Sequence, residues 1–359
     1  MHYSKQINTL RFFAVFMVLM DHFAHHIGLF FSAGYFGVDL FFVISGFLIT
    51  KILLNIKADF ISAYKNFMAR RFLRIVPLYF FTIAILAILG YTYVNEYMIY
   101  CFSFTFNYAM VYFGLTNNAI THFWSLCVEE QFYLLWPLFV LPLRGRRTLL
   151  LVIVLILVSL CYLQFYFTLI KPLVYYRWVG LIPQAYAIGI GAAGAIACKE
   201  KWKYTVLFSS KITECFFFIL LIYFLHTNHA IKYFFVPFLS LFLVLKCYYN
   251  AFTQKYLSTI FNNKILIYLG TISYGIYLFH LPLGYYLDLY LFQPFLTSTI
   301  HTTDKLQSEI SGNQEWLYKF PIMTLLTVFL ASISHRYVEM PILKLKDKYF
   351  RYDNNMNES

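Results

Sequence analysis

Ten separate stretches of the chain stay apolar for roughly the 20 residues that a helix needs to cross the hydrocarbon core of a bilayer, and nothing else constrains the fold as strongly. They are Ile7 to His26, Tyr35 to Leu54, Val76 to Val94, Phe123 to Leu143, Leu149 to Ile170, Tyr176 to Cys198, Val206 to Leu225, Ile231 to Tyr249, Ile265 to Leu287 and Phe320 to His335. Inside lipid every backbone polar group needs an internal partner, so runs of this length are predicted as α-helices. Composition agrees: 61% of the 359 residues are hydrophobic and 12% charged, where soluble domains run about 45–50% and about 25%. The expected fold is all-α, a polytopic membrane protein of about ten transmembrane helices. Polar residues, Gly and Pro interrupt the fourth and ninth runs, which makes those two the candidates for partly re-entrant segments.

The formal charge of +12 takes its meaning from position, because loop Lys and Arg orient a membrane protein. With ten spans, 23 of the 28 basic residues fall on one side, and Lys171, Arg177, Lys232, Lys305 and Lys319 fall on the other. That bias predicts cytoplasmic N- and C-termini, with a C-terminal tail from about residue 337. It makes anionic membrane lipids the ordinary partner of the charge and leaves no case for nucleic acid. No linker divides the chain, so residues 1–359 are read as a single domain, with a polar, surface-lying outer loop from Gln293 to Lys319. The six cysteines form no CxxC pair and predict no disulfide framework. The N-terminal run carries Arg11, Asp21 and His22 and no small-residue cleavage site, so it reads as a retained span.

Charged groups inside spans cost about 2.5–3.5 kcal/mol on insertion scales and therefore tend to face a cavity or a partner. Arg11 and His22 are eleven residues apart, about 20° beyond three full turns, so they share one helix face about 16 Å apart. A snorkelling Arg and an interfacial His would each be ordinary alone. The next span opens on Gly37, Val38, Asp39, which places Asp39 at the depth of His22. A carboxylate there can orient an imidazole as in hydrolase triads, or simply favour a helix N-terminus. Arg70, Arg71 and Arg74, in the inner loop ahead of the third span, suit phosphate oxygens, although topology also accounts for them. The fourth span carries Trp124, Ser125, Glu129, Glu130 and Tyr133. Two adjacent carboxylates cannot share a face, which implies an internal partner for at least one. The ninth span carries Ser273 and His280; for a lone His the default is a satisfied core residue.

Taken together and in this order, these segments resemble the membrane-bound acyltransferase 3 family, whose bacterial members O-acylate surface glycans. The resemblance rests on Arg11 with His22, Gly37 to Phe47, Arg70 to Pro77, Trp124 to Tyr133, Ser273 to His280 and Tyr337 to Pro341, and covers nearly the whole chain. It implies an O-acyltransferase that moves an acyl group, acetyl first among candidates, from cytoplasmic acyl-CoA to a hydroxyl of a cell-surface or lipid-linked glycan such as a lipopolysaccharide O-antigen. Location in the bacterial inner membrane is implied too. The expectation is of a member without the fused SGNH-type hydrolase domain that some relatives carry. The resemblance assigns His22 as general base oriented by Asp39, Arg11 as a supporting catalytic residue, and Arg70, Arg71 and Arg74 as acyl-CoA ligands. Trp124, Glu129, Tyr133, Ser273 and His280 become acceptor-binding or supporting residues. No metal and no tightly bound cofactor is expected, acyl-CoA (acetyl-CoA) being a co-substrate. A transporter or flippase of a glycan or lipid precursor would also place polar groups at mid-membrane, and a membrane scaffold would explain the spans alone.

Overall fold

The computed structural model describes residues 4–24, 33–115, 118–143, 146–165, 179–199, 210–226, 232–294 and 316–350, and all regular structure among them is helical. Most of the expected outer loop (295–315) and the tail beyond residue 350 lie outside the described residues. The helices are α1 (Gln6–Phe23), α2 (Ala33–Asn55), α3 (Phe60–Ile88), α4 (Thr92–Glu96), α5 (Met98–Phe102), α6 (Phe106–Phe113), α7 (Phe123–Leu143) and α8 (Arg146–Phe165). They continue as α9 (Leu181–Lys199), α10 (Lys211–His226), α11 (Lys232–Tyr249), α12 (Lys255–Phe261), α13 (Lys264–Thr271), α14 (Ser273–Leu287), α15 (Trp316–Ser334) and α16 (Met340–Tyr349).

A helix occupies each of the ten apolar runs, but length and composition qualify six described helices to cross a membrane. The count rises to seven if α13 and the helix that follows it, bent by 65° at Ile272, form one broken span. That bend falls in the ninth run, where interruption was expected. The third run corrects differently. Its helix begins at Phe60, where the Asp59 carboxylate caps the Ser62 N–H at 2.9 Å. No helix breaker intervenes before Pro77, so Arg70, Arg71 and Arg74 sit on the helix and not in a loop. The capping bond holds the exposed Asp59 carboxyl below the usual carboxylate range.

The centre of the bundle is α2, largely apolar all round and packed against α1 and α9, as a helix with no broad polar face must be. Glycine sets both distances. A Cβ on Gly46 would lie 2.1 Å from the Ile188 carbonyl oxygen of α9, and one on Gly191 would lie 2.1 Å from the Val43 carbonyl oxygen of α2. A Cβ on Gly37 would come within 2.4 Å of the Ala14 carbonyl oxygen of α1. Where lipid is as apolar as any side chain, small residues that admit such backbone approach supply much of the drive for helix association. Two polar ties add to this. Trp136 of α7 donates to Thr50 Oγ1 of α2 at 2.8 Å, and Thr9 of α1 donates to the Phe261 carbonyl of α12 at 2.9 Å.

Candidate active site

Between α1, α2, α3, α7 and α14 lies a cavity of about 270 Å³. One end is basic. It is lined by Arg70, Arg71 and Arg74 of α3, Lys51 of α2 and Lys346 of α16. The α3 arginines fall there because positions four and three apart share a helix face. Arg71 lies 5.4 Å from the Tyr133 ring, and the Lys51 ammonium sits 3.3 Å from the centre of the Tyr248 ring. Arg70 also donates to the Phe350 carbonyl just after α16, so the C-terminal helix closes over this end. Lys51 and Lys346 were outside the expected site, and no local pattern marks them, since the fold brings them from distant parts of the chain.

Farther in, Arg11 lines the wall, and Ser45 joins α2 to α7 by donating to Glu129 Oε1 at 2.6 Å. The Tyr133 hydroxyl is 3.1 Å from Ser45 Oγ. Arg11 and Arg71 are the cations close enough to act on Glu129. The adjacent Glu130 turns another way, toward Tyr79 and Tyr274, and its buried Oε1 has no hydrogen-bond partner. The two carboxylates thus part as helical geometry requires. Ser273 lines the cavity with its buried Oγ unpartnered. Trp124, by contrast, packs edge-on to Phe42 with ring centres 6.0 Å apart and does not line the cavity.

The far end of the cavity closes on Tyr277 and Ser125, whose hydroxyls are 2.6 Å apart and both reach the His122 carbonyl. Tyr277 has a second face. Its ring centre is 5.4 Å from that of His122 and 5.5 Å from that of His280. His280, fully buried, brings Nε2 to 3.1 Å from His22 Nδ1. His22 is exposed near the end of α1. Tyr277 therefore touches both the basic cavity and the buried-to-surface pair of imidazoles. His122 and Tyr277 were missed as site residues. The one sequence signal for His122 was its place at the mouth of the fourth span.

Asp39 goes elsewhere. It is buried at 1% exposure and pairs with the Tyr35 hydroxyl, and its Oδ2 has no hydrogen-bond partner. The bond to His22 expected from their common depth is not made, because Gly34 lies against Asp21 and Gly37 against Ala14 and Val18, which sets Asp39 level with the middle of α1 and inward of His22; a second reason is rotational. Gly37 faces α1, and a residue two positions on is turned about 200° away; seven positions further, Gly46 returns to within about 20° of Asp39. Since Gly46 faces α9, Asp39 does as well, on the side of α2 opposite His22.

A family model described as an acyltransferase domain matches residues 4–336. The chain is similar to the peptidoglycan O-acetyltransferase OatA of Listeria monocytogenes, at 28% identity over 95% of this chain and 56% of that protein. It is also similar to the O-acetyltransferase OatA of Staphylococcus aureus, at 26% identity over 98% of this chain and 59% of that protein. The chain thus spans somewhat over half the length of these curated relatives. No solved structure matches it.

Proposed function

The chain belongs to the acyltransferase domain family, matched over 333 of its 359 residues, and we propose that it is a membrane O-acetyltransferase that acylates a hydroxyl of a cell-surface glycan. The observation that carries this reading is the cavity with five cations at one end and Tyr277, backed by His280 and His22, at the other. The basic end suits the phosphates of acyl-CoA, because guanidinium groups bind phosphate oxygens in pairs. The middle, apolar apart from Arg11, Ser45, Glu129, Tyr133 and Ser273, suits a pantetheine arm, whose amides need such polar points. Loop charge makes the basic end cytoplasmic, consistent with a cytoplasmic donor and an inner-membrane location, and His22 then meets the acceptor from the outer side.

In this reading His22 takes the proton of the sugar hydroxyl as its oxygen attacks the thioester carbonyl carbon. The new bond is C–O, the bond broken is C–S, and the proton passes to the departing thiolate. General-base action of this kind is typically worth about 10²–10⁴ in rate. Arg11, on the cavity wall about 16 Å along α1 from His22, is too far to meet the oxyanion and instead supplies positive charge to the CoA end of the donor. The acceptor follows from the relatives: a peptidoglycan-type glycan is the first to try, ahead of a lipopolysaccharide.

The test is mass spectrometry of surface glycans from cells carrying wild type, His22→Ala or empty vector, with both proteins at matched membrane levels. An acetyl increment seen with wild type alone supports the reading. Unchanged glycans in all three strains exclude the glycan acceptor, and an increment retained in His22→Ala removes the base role.

A further inference from the structure

The contact between His22 and His280 has its donor and acceptor fixed by a third group. His280 Nδ1 lies 2.5 Å from the Tyr277 carbonyl oxygen, and a carbonyl can only accept, so this nitrogen carries the hydrogen. Burying an unpaired cation is costly, and His280 has no exposed surface, its titratable neighbours being two imidazoles, His122 and His22, and the Tyr277 phenol. It is therefore the neutral ring, with a single N–H. Its Nε2 then holds a lone pair and can only accept, which makes His22 Nδ1, 3.1 Å away, the donor. A neutral His22 with hydrogen on Nδ1 has its lone pair on Nε2. The chain of bonds runs from His22 through His280 to the backbone of α14, which packs directly against α1.

We propose that His280 is the positioning residue for His22, holding it as the Nδ1–H tautomer so that Nε2 is the basic atom. This deepens the reading of His22 as general base and rests on it for its catalytic meaning. In the hydrolase pattern a carboxylate does this work. Asp39, the carboxylate expected in that role, faces α9 from a level inward of His22 and is unable to. His280 does so through a bond anchored on its own helix, three residues back at Tyr277, whose side chain also closes the cavity. The donor cavity and the orientation of the base thus meet on one turn of α14, between Tyr277 and His280. Loss of the acceptor frees His22 to place its hydrogen on Nε2, where it blocks the base.

Two substitutions separate positioning from packing. In His280→Gln, Oε1 falls near the place of Nε2 and accepts the His22 hydrogen; His280→Phe fills the volume and accepts nothing. The protein, labelled with ¹⁵N-histidine and held in lipid nanodiscs, is read by ¹⁵N NMR, with His22 identified by the signals missing in His22→Gln. Acetyl transfer from [¹⁴C]acetyl-CoA is measured on the same preparations. Wild type and His280→Gln should show His22 with Nδ1 protonated, and His280→Phe should show hydrogen on Nε2. With it, kcat should fall about 10- to 100-fold, the usual effect of removing an orienting partner, at unchanged KM for acetyl-CoA and with recovery in His280→Gln. The inference is overturned if His22 keeps hydrogen on Nδ1 in His280→Phe, or if His280→Gln loses activity as far as His280→Phe while the tautomer stays put. Full activity of His22→Gln would instead remove the base reading, and the NMR result would still decide the tautomer.

Discussion

The Ser45–Glu129 bond ties the central helix α2 to α7 across the cavity, and its strength can be worked out from its surroundings. Glu129 accepts over 2.6 Å from Ser45, in a part-buried contact near Arg11 and Arg71. Neutral hydrogen bonds between membrane helices average about 0.6 kcal/mol in double-mutant cycles and reach about 1.7. Bonds to charged groups reach about 1.5–3 kcal/mol. A short bond to a carboxylate with two guanidiniums nearby belongs where these ranges meet, at about 1.5–1.7 kcal/mol. That is a roughly 10- to 20-fold change in an equilibrium. Ser45→Ala, Glu129→Met and the double variant should therefore show this coupling energy in unfolding titrations with SDS in mixed micelles. Met avoids a replacement acceptor, which Gln would supply. A coupling below about 0.5 kcal/mol, the scatter expected of independent sites, would refute the assignment of Ser45 and Glu129 as a joint wall of the cavity.

Replacing Arg70 and Arg74 together by Gln should raise KM for acetyl-CoA at least tenfold, since 1.4 kcal/mol of lost charge pairing already gives that factor; steady-state kinetics on membranes with kcat falling more than KM rises would contradict a phosphate-binding role. Tyr277→Phe removes the hydroxyl 2.6 Å from Ser125, but Ser125 keeps the His122 carbonyl at 3.1 Å. Its stability cost should therefore stay near the low end of the 1–3 kcal/mol for a lost buried partner, as read by thermal melting. Gly46→Val should abolish folded protein, because its Cβ would sit 2.1 Å from the Ile188 carbonyl oxygen. Gly90→Ala, with φ of +72° and open space around its Cβ, should cost only about 1 kcal/mol of backbone strain; fluorescence-detected size exclusion checks both. Asp39→Asn should leave the ¹⁵N pattern of His22 as in wild type, because the partner of Asp39 is Tyr35; an altered tautomer would tie Asp39 to the base after all.

What the sequence made legible follows from one-dimensional periodicity. Apolar runs located the helices, and the position of Glu129 beside Glu130 implied that the two carboxylates would part. Arg70, Arg71 and Arg74 appeared as a set because three close cations need no tertiary information to be noticed. Their setting was misjudged because Lys and Arg ahead of an apolar run suggest a loop, whereas the Asp59 cap had already begun the helix. Depth along one helix is readable from residue count, but how two helices are offset and which faces pack depend on tertiary structure. Asp39 shows both: Gly34, not Asp39, lies against Asp21 beside His22, and the carboxylate faces away from α1. The spacing of Gly37 and Gly46 held the clue, yet it decides nothing until the neighbours α1 and α9 are known. Lys51 and Lys346 join the site only through contacts between segments far apart in the chain, which no local pattern announces; Tyr277, one turn from His280, and His122, at the mouth of the fourth span, lay within segments already singled out but carried no charge to mark them.

The most direct test is single-turnover transfer in proteoliposomes, with [¹³C]acetyl-CoA on the side that bears Arg70, Arg71 and Arg74 and a muropeptide-type saccharide on the side that bears His22. Wild type should place the ¹³C-acetyl group on a saccharide hydroxyl across the membrane, and His22→Ala at equal incorporation should lose at least about 100-fold of the rate, the lower bound for a general base. Labelled saccharide formed equally by His22→Ala would contradict the role of the histidine pair, and saccharide carried across without acetylation would replace the acyltransferase reading with transport.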